Sequence, residues 1–266
     1  MESSLVRTSP LHTVLAIAKN TFREAVRDRI LYNLIVFVLL ITVGAIFLGE
    51  LTAGEEARVI VNLGLSATLV FGTFISIFVG VSLVWKEIEK KTVYAIFSKP
   101  VGRGEFLVGK YLGLCATLFA NLAVMGLGVT LALLYVGGTR MIAGVWASVV
   151  LIFLELTIIT GIAIMFSSFS TPALSALLTF FVFIIGHFSA SLVDLAKTVG
   201  SSGAVAFFTA IFYLLPNLSH FSFITETSNA MIAPPAMIGG AALYAFIYDA
   251  VLLAVTVLIF SRRNFK

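Results

Sequence analysis

The chain has 266 residues, of which 60% are hydrophobic and only 11% charged, and its mean hydropathy is +1.09. Soluble domains carry about 25% charged residues, so this composition excludes a water-soluble globule. The net charge of +4 comes from basic residues clustered at the edges of apolar runs. That placement argues against nucleic acid as a partner and for a polytopic membrane protein.

In chain order, residues 1–10 are polar, and Ser9-Pro10 predicts a helix start with Ser9 as cap and Pro10 in the first helical position. Leu11, Val14, Leu15, Ala18, Phe22 and Val26 then recur at helical spacing, with Lys19, Arg23, Glu24, Arg27 and Asp28 opposite. This is the pattern of a basic amphipathic helix lying in the headgroup plane. Residues 1–30 are thus expected to form a tail and an interfacial helix. No cleavable signal peptide is expected, because the first apolar run begins near Leu31, after a charged segment, and no small-residue cleavage site follows.

Apolar segments follow at 31–49, 63–85, 106–136, 141–166, 173–193 and 237–260. Each approaches or exceeds the ~20 residues needed to cross a bilayer. The third exceeds the need, which predicts tilt or extension into water. A further run, AVAFFTAIFYLL at 204–215, is too short to span and ends at Pro216, so it reads as a re-entrant or surface helix. The expected fold is all-α: six transmembrane helices, an N-terminal amphipathic helix and a short external helix, in one membrane domain.

The basic residues set the topology. With the N-terminus inside, one side receives 14 of the 17 Lys and Arg residues, and only Arg58, Arg140 and Lys197 fall on the other. Both termini and the 86–105 loop are therefore expected in the cytoplasm, with 194–236 as an external excursion. The stretch 85–110 alone holds Lys86, Lys90, Lys91, Lys99, Arg103 and Lys110. Taken by itself it is either a solvated loop obeying the charge rule or a docking surface for a soluble partner.

Several motifs carry less than their letters suggest. Gly104-Glu-Phe-Leu-Val-Gly109-Lys110 matches a phosphate-binding loop, but Tyr111 follows instead of Ser or Thr, and no strand precedes it. No nucleotide cofactor is therefore expected on this chain. Gly109 and Gly113 form a G-x-x-x-G pair that permits close helix packing. His12, His187 and His220 are scattered, which gives no metal site, and His187 reads as a hydrogen bonder between helices. Cys115 lies inside an apolar run, with neither a disulfide partner nor a local histidine. Asn217-Leu-Ser219 spells a glycosylation acceptor, to which no weight attaches.

Glu155 and Asp249 lie within apolar spans, where a carboxylate costs about 2.5–3.5 kcal/mol on insertion scales. Either they line a translocation path, or they hydrogen-bond between helices, with Thr157, Thr160 or Tyr248 as available partners.

The order of motifs resembles one family. An acidic residue, Lys91-Thr92, a short apolar run, Ser98-Lys99-Pro100, Arg103 and Gly109-Lys110 leading into a span resemble the permease subunits of type-two ABC exporters. The stretch SSFSTPALSALLTFFVFIIG (167–186) looks like the break between the fourth and fifth spans of that family. LLPNLSHF (214–221) is similar to its external segment, and FSRRNF (260–265) to its C-terminal border, with Asn264 where many relatives carry an acid.

The resemblance implies that an 85–97 helix couples the spans to a separate ABC ATPase, which would hold the ATP and magnesium. Lys86, Glu87, Lys90, Lys91, Tyr94, Lys99 and Arg103 are the implied coupling residues. It also implies a second permease copy, or a homologue, in a bacterial or archaeal cytoplasmic membrane. An ion-coupled secondary transporter using Glu155 and Asp249, and a non-transporting membrane anchor, are the competing expectations.

Overall fold

The computed structural model describes residues 10–27, 54–89, 102–199 and 202–262, together with positions 36, 39, 43–44 and 46–47. Among these, every regular element is helical. The α-helices are α1 (Pro10–Arg27), α2 (Glu56–Glu89), α3 (Arg103–Tyr135), α4 (Ile142–Ser167), α5 (Pro172–Val199), α6 (Ser202–Leu214), α7 (Ile224–Ser228) and α8 (Pro235–Arg262). Short 3-10 turns sit at Thr139–Met141 and Leu218–Phe221.

Among the described residues, four stretches, 56–82, 103–135, 139–167 and 235–261, are long and apolar enough to cross a bilayer. α5 is 28 residues long, and its described apolar portion covers 172–188. The expected first span, 31–49, lies outside the described residues apart from six helical positions.

Helix bounds depart from the apolar runs in an instructive way. The segment 50–62 reads as an acidic loop, yet α2 already begins at Glu56. Hydropathy marks where lipid begins, whereas a helix starts wherever good formers and an N-terminal acid allow, and Glu56-Ala57 supplies both. At its other end α2 runs unbroken to Glu89, so 85–89 extend this helix and begin no separate one.

Local chemistry sets the stops. α3 closes with the Gly137 N–H bonded to the Leu134 carbonyl at 3.4 Å and the Gly138 N–H to the Leu133 carbonyl at 2.8 Å. Gly137 has a φ of +77°, the left-handed conformation that this closure requires. Ser167 and Ser168 return their hydroxyls to carbonyls one turn back, and Pro172 opens α5 as a first-turn proline.

The bundle has two ends. At its base lie α1, the start of α3 and the end of α8. At its crown lie the starts of α4 and α8 with α7 and the Leu218–Phe221 turn. α4 is the most enclosed of the four spans. A small-residue row on α2, Gly72, Ser76 and Gly80, lies against Leu156, Thr160 and Ala163 of α4. A Cβ at Gly80 would come within 3.0 Å of the Ala163 Cβ, and one at Gly72 within 2.4 Å of Leu156 Cδ1. Between them the Ser76 and Thr160 hydroxyls meet at 2.7 Å. Helices in lipid gain little from apolar burial, so backbone approach and the contacts of the Ser76 hydroxyl with Thr160 and the Leu156 carbonyl hold this seam.

α1 packs chiefly on α3. A Cβ at Gly109 would lie 2.7 Å from Ile17 Cβ, and one at Gly113 would lie 2.6 Å from the Ala18 carbonyl oxygen. The glycine pair therefore receives the amphipathic helix and not another span. The buried face of α1 is also turned from the expected stripe. Thr21 and Ala25 are buried, whereas Leu11 and Leu15 are 76% and 64% exposed. Ile17 and Thr21 are the side chains that meet the glycines, and Leu11 and Leu15 stay outside.

Replacing Gly113 with Leu should lower stability by about 1–3 kcal/mol, the usual cost of overpacking. Thermal unfolding in detergent would read this loss. Amide exchange of residues 10–27 should accelerate in the same variant, because α1 loses its seat.

Candidate functional site

The base of α3 gathers three elements. Its first turn is closed by Glu105, whose carboxylate accepts from the Gly102 N–H at 3.3 Å. Arg103 donates from Nη1 to the carbonyls of Ser261 at 2.7 Å and Phe260 at 3.3 Å. These carbonyls lie in the last described turn of α8, where a cation is favoured by the helix dipole. The rings of Phe106 and Phe260 stack at 6.5 Å beside this contact.

One turn further, Lys110 is only 3% exposed. Its Nζ lies 3.7 Å from the Glu24 carboxylate of α1 and 5.8 Å from the Phe106 ring. A buried ammonium is tolerated only with such partners. The start of α3 thus binds α1 through Gly109, Lys110 and Gly113, and α8 through Arg103 and Phe106.

The expected coupling residues divide accordingly. Lys86 and Glu87 lie in the last turns of α2, and their side chains fall outside the described residues, as do Lys90, Lys91, Tyr94 and Lys99 entirely. Arg103 is described, and the contacts just given turn it inward onto α8.

Within the spans, Glu155 of α4 is 1% exposed and pairs with His187 of α5, Oε1 to Nδ1 at 3.5 Å. This partner was legible only as a generic interhelical hydrogen bonder. Asp249 of α8 is also buried, beside Tyr111 of α3 and Thr157 of α4. Its Oδ1 lies 3.5 Å from where a Gly161 Cβ would stand, so the glycine makes room for the carboxyl. Cys115 follows Tyr111 by one turn and interacts with it.

Helix geometry separates the two carboxyls. Residues advance about 100° each, so Thr157 and Gly161 face well away from Glu155 on α4. Glu155 addresses α5 while Asp249 approaches the opposite side of α4, and the structure does not join them in one site. Of the expected hydrogen-bond partners, Thr157 lies at Asp249, Thr160 is engaged with Ser76, and Tyr248 stacks on Tyr244 at 5.8 Å.

Sequence reading missed the Gly72-Ser76-Gly80 row, although three small residues at four-residue spacing were a readable signal. It also missed Asn217 as an organising residue. Asn217 lies in the turn after Pro216, where its side chain holds Ser219 and His220. No group of three or more metal-ligating side chains occurs among the described residues.

Comparison with known families matches residues 15–265 to the ABC-2 family transporter protein family. No curated protein matches the chain.

The Glu155–His187 pair makes a sharp stability prediction. Replacing His187 with Leu strands the carboxyl and should cost about 1–3 kcal/mol. The Glu155→Leu/His187→Leu double variant should recover most of that loss. A double-mutant cycle on thermal unfolding would show coupling, and additive losses would deny it.

Proposed function

The chain belongs to the ABC-2 transporter family, and we propose that it is the membrane-spanning permease of an ATP-driven exporter. A separate ABC ATPase hydrolyses ATP with its magnesium, and a second permease copy or a homologue completes the path. Both termini and the 86–105 segment face the cytoplasm of a bacterial or archaeal cell, and cargo moves outward.

The observation that carries this reading is the continuity of α2. One helix runs from Glu56 to Glu89, and its apolar part, 56–82, gives way to the charged end Lys86-Glu-Ile-Glu89 without a break. At 1.5 Å per residue its 34 residues span about 51 Å, against a hydrocarbon core of ~30 Å. Such a rod projects past the lipid, and a push on its tip reaches the α2–α4 seam directly. Lys86, Glu87, Lys90, Lys91, Tyr94 and Lys99 are the proposed contacts with the ATPase. Arg103 acts within the chain, holding the end of α8 to the start of α3 so that the base moves as one piece. ATP-driven closure of the ATPase pair then switches the access of the path.

The rings of Phe74, Phe78 and Phe180 form an exposed aromatic surface shared by α2 and α5, with centroids 6.1 and 6.4 Å apart. This surface favours an apolar or amphipathic cargo.

Charge reversal at Lys90 and Lys91 should lower co-purification of the P-loop ATPase at least tenfold. Arg103→Gln should leave that capture within about twofold while reducing cargo-stimulated ATP turnover. Equal loss of capture in both variants would return Arg103 to the docking surface. Glu155→Gln and Asp249→Asn should each slow transport with assembly intact, and normal transport by both would remove them from the path. Gradient-driven transport by the isolated chain would favour the ion-coupled alternative.

A further inference from the structure

At the crown, a half-open cavity of about 450 Å³ lies between the Leu218–Phe221 turn and the first turns of α8. Its size falls within the ~300–1,000 Å³ of small-molecule sites. Its polar lining comes from Ser219, His220 and Tyr244, and its apolar lining includes Met237, Gly240 and Ala241. Among the described residues, no carboxylate, ammonium or guanidinium lines it.

All three polar side chains are fixed by one residue. Asn217, which is buried, accepts at Oδ1 from the Ser219 N–H at 3.2 Å and from the Ser219 hydroxyl at 2.6 Å. The backbone donor identifies that amide atom as oxygen, so the other is nitrogen and must donate. It faces His220 Nε2 at 3.2 Å, which is therefore an acceptor, and His220 carries its proton on Nδ1. The Asn217 N–H donates to the Tyr244 hydroxyl at 3.0 Å, which leaves the Tyr244 proton to be given elsewhere. The lining residues thus carry two donors, the Tyr244 O–H and the His220 Nδ1–H, and one acceptor, Ser219 Oγ. Asn217 holds all three residues in place before any ligand arrives.

The depth of the cavity narrows the ligand further. Along α8, Gly240 lies roughly 30 Å from Ser261, where Arg103 marks the base. That rise equals the ~30 Å hydrocarbon thickness, so the cavity sits at the level of the headgroup boundary on the crown side. Neutral donors above an apolar wall at this level suit an oxygen-rich uncharged head joined to an apolar chain.

We propose that this cavity binds the neutral head of an amphiphile, an ester carbonyl or glycosyl hydroxyl, against Tyr244, His220 and Ser219. The chemistry is shared by a resident membrane lipid and by an amphiphile arriving from water. The site stands on the crown geometry and is independent of how the base is driven.

Gly240 provides the test, because a Cβ there meets nothing within 4 Å and a larger side chain would enter the cavity without touching the Asn217 network. Its neighbour Gly239 is equally open and does not line the cavity, so it serves as control. The full chain in phosphatidylcholine nanodiscs is irradiated with either of two diazirine probes. One is an octyl glucoside added from water, and the other is a glucosyl diacylglycerol built into the disc. Labelled peptides are mapped by mass spectrometry.

Labelling within residues 216–248 is expected. It should fall at least tenfold in Gly240→Leu, about threefold in Tyr244→Phe, and not at all in Gly239→Leu. Preference for the water-borne probe would identify a site reached from outside, and preference for the two-chain probe a resident lipid. Undiminished labelling of Gly240→Leu, or labelling confined to other peptides, would overturn the proposal.

Discussion

Helices already surrounded by hydrocarbon gain almost nothing by burying apolar surface against one another, and this constraint shapes the whole bundle. What remains is backbone proximity and the need of polar groups for partners. α4 collects most of what remains. It meets α2 through Gly72, Ser76 and Gly80, α5 through Glu155 and His187, and α8 through Gly161 and Asp249. Each contact costs a polar or glycine residue in a span that would otherwise favour Leu or Ile. Their concentration on one helix makes α4 the fixed post around which the others are arranged.

The same constraint explains the base. Lys110 and Arg103 stand in the first turns of α3, and neither leaves its charge to solvent alone. Lys110 is tied to α1 and Arg103 to the last carbonyls of α8. Two elements distant in sequence, α1 and α8, thereby share the first two turns of α3. Movement of the segment joining α2 to α3 must shift both of them or break identifiable contacts.

Much of the architecture was legible in the sequence because it follows from run length and charge. The apolar runs locate α2, α3, α4, α5 and α8, and proline marks the starts of α5 and α8. Partners were far less legible. The apolar stripe of α1 pointed to Leu11 and Leu15, since hydrophobic size dominates such patterns. The helix instead buries Thr21 and Ala25, because the glycines of α3 receive the face that carries Ile17 and Thr21. Glu155 and Asp249 stood out as costly residues, but spacing along one chain does not show which neighbouring helix a side chain meets. The contacts of Arg103 with Phe260 and Ser261 were not legible, because nothing in sequence links residues more than 150 positions apart. Asn217 was hidden for the opposite reason. Its partners are local, but turns built on side-chain amides have no periodic signature.

The hook from Arg103 to Ser261 has a practical corollary. It pins the C-terminal end of α8 beside the entry to α3, so whatever is inserted into the chain just after Arg262 emerges next to that junction. A small fluorophore attached there would sense rearrangements of the junction directly. A bulky tag at the same place would crowd it, which makes the choice of fusion site part of any experiment on how this molecule moves.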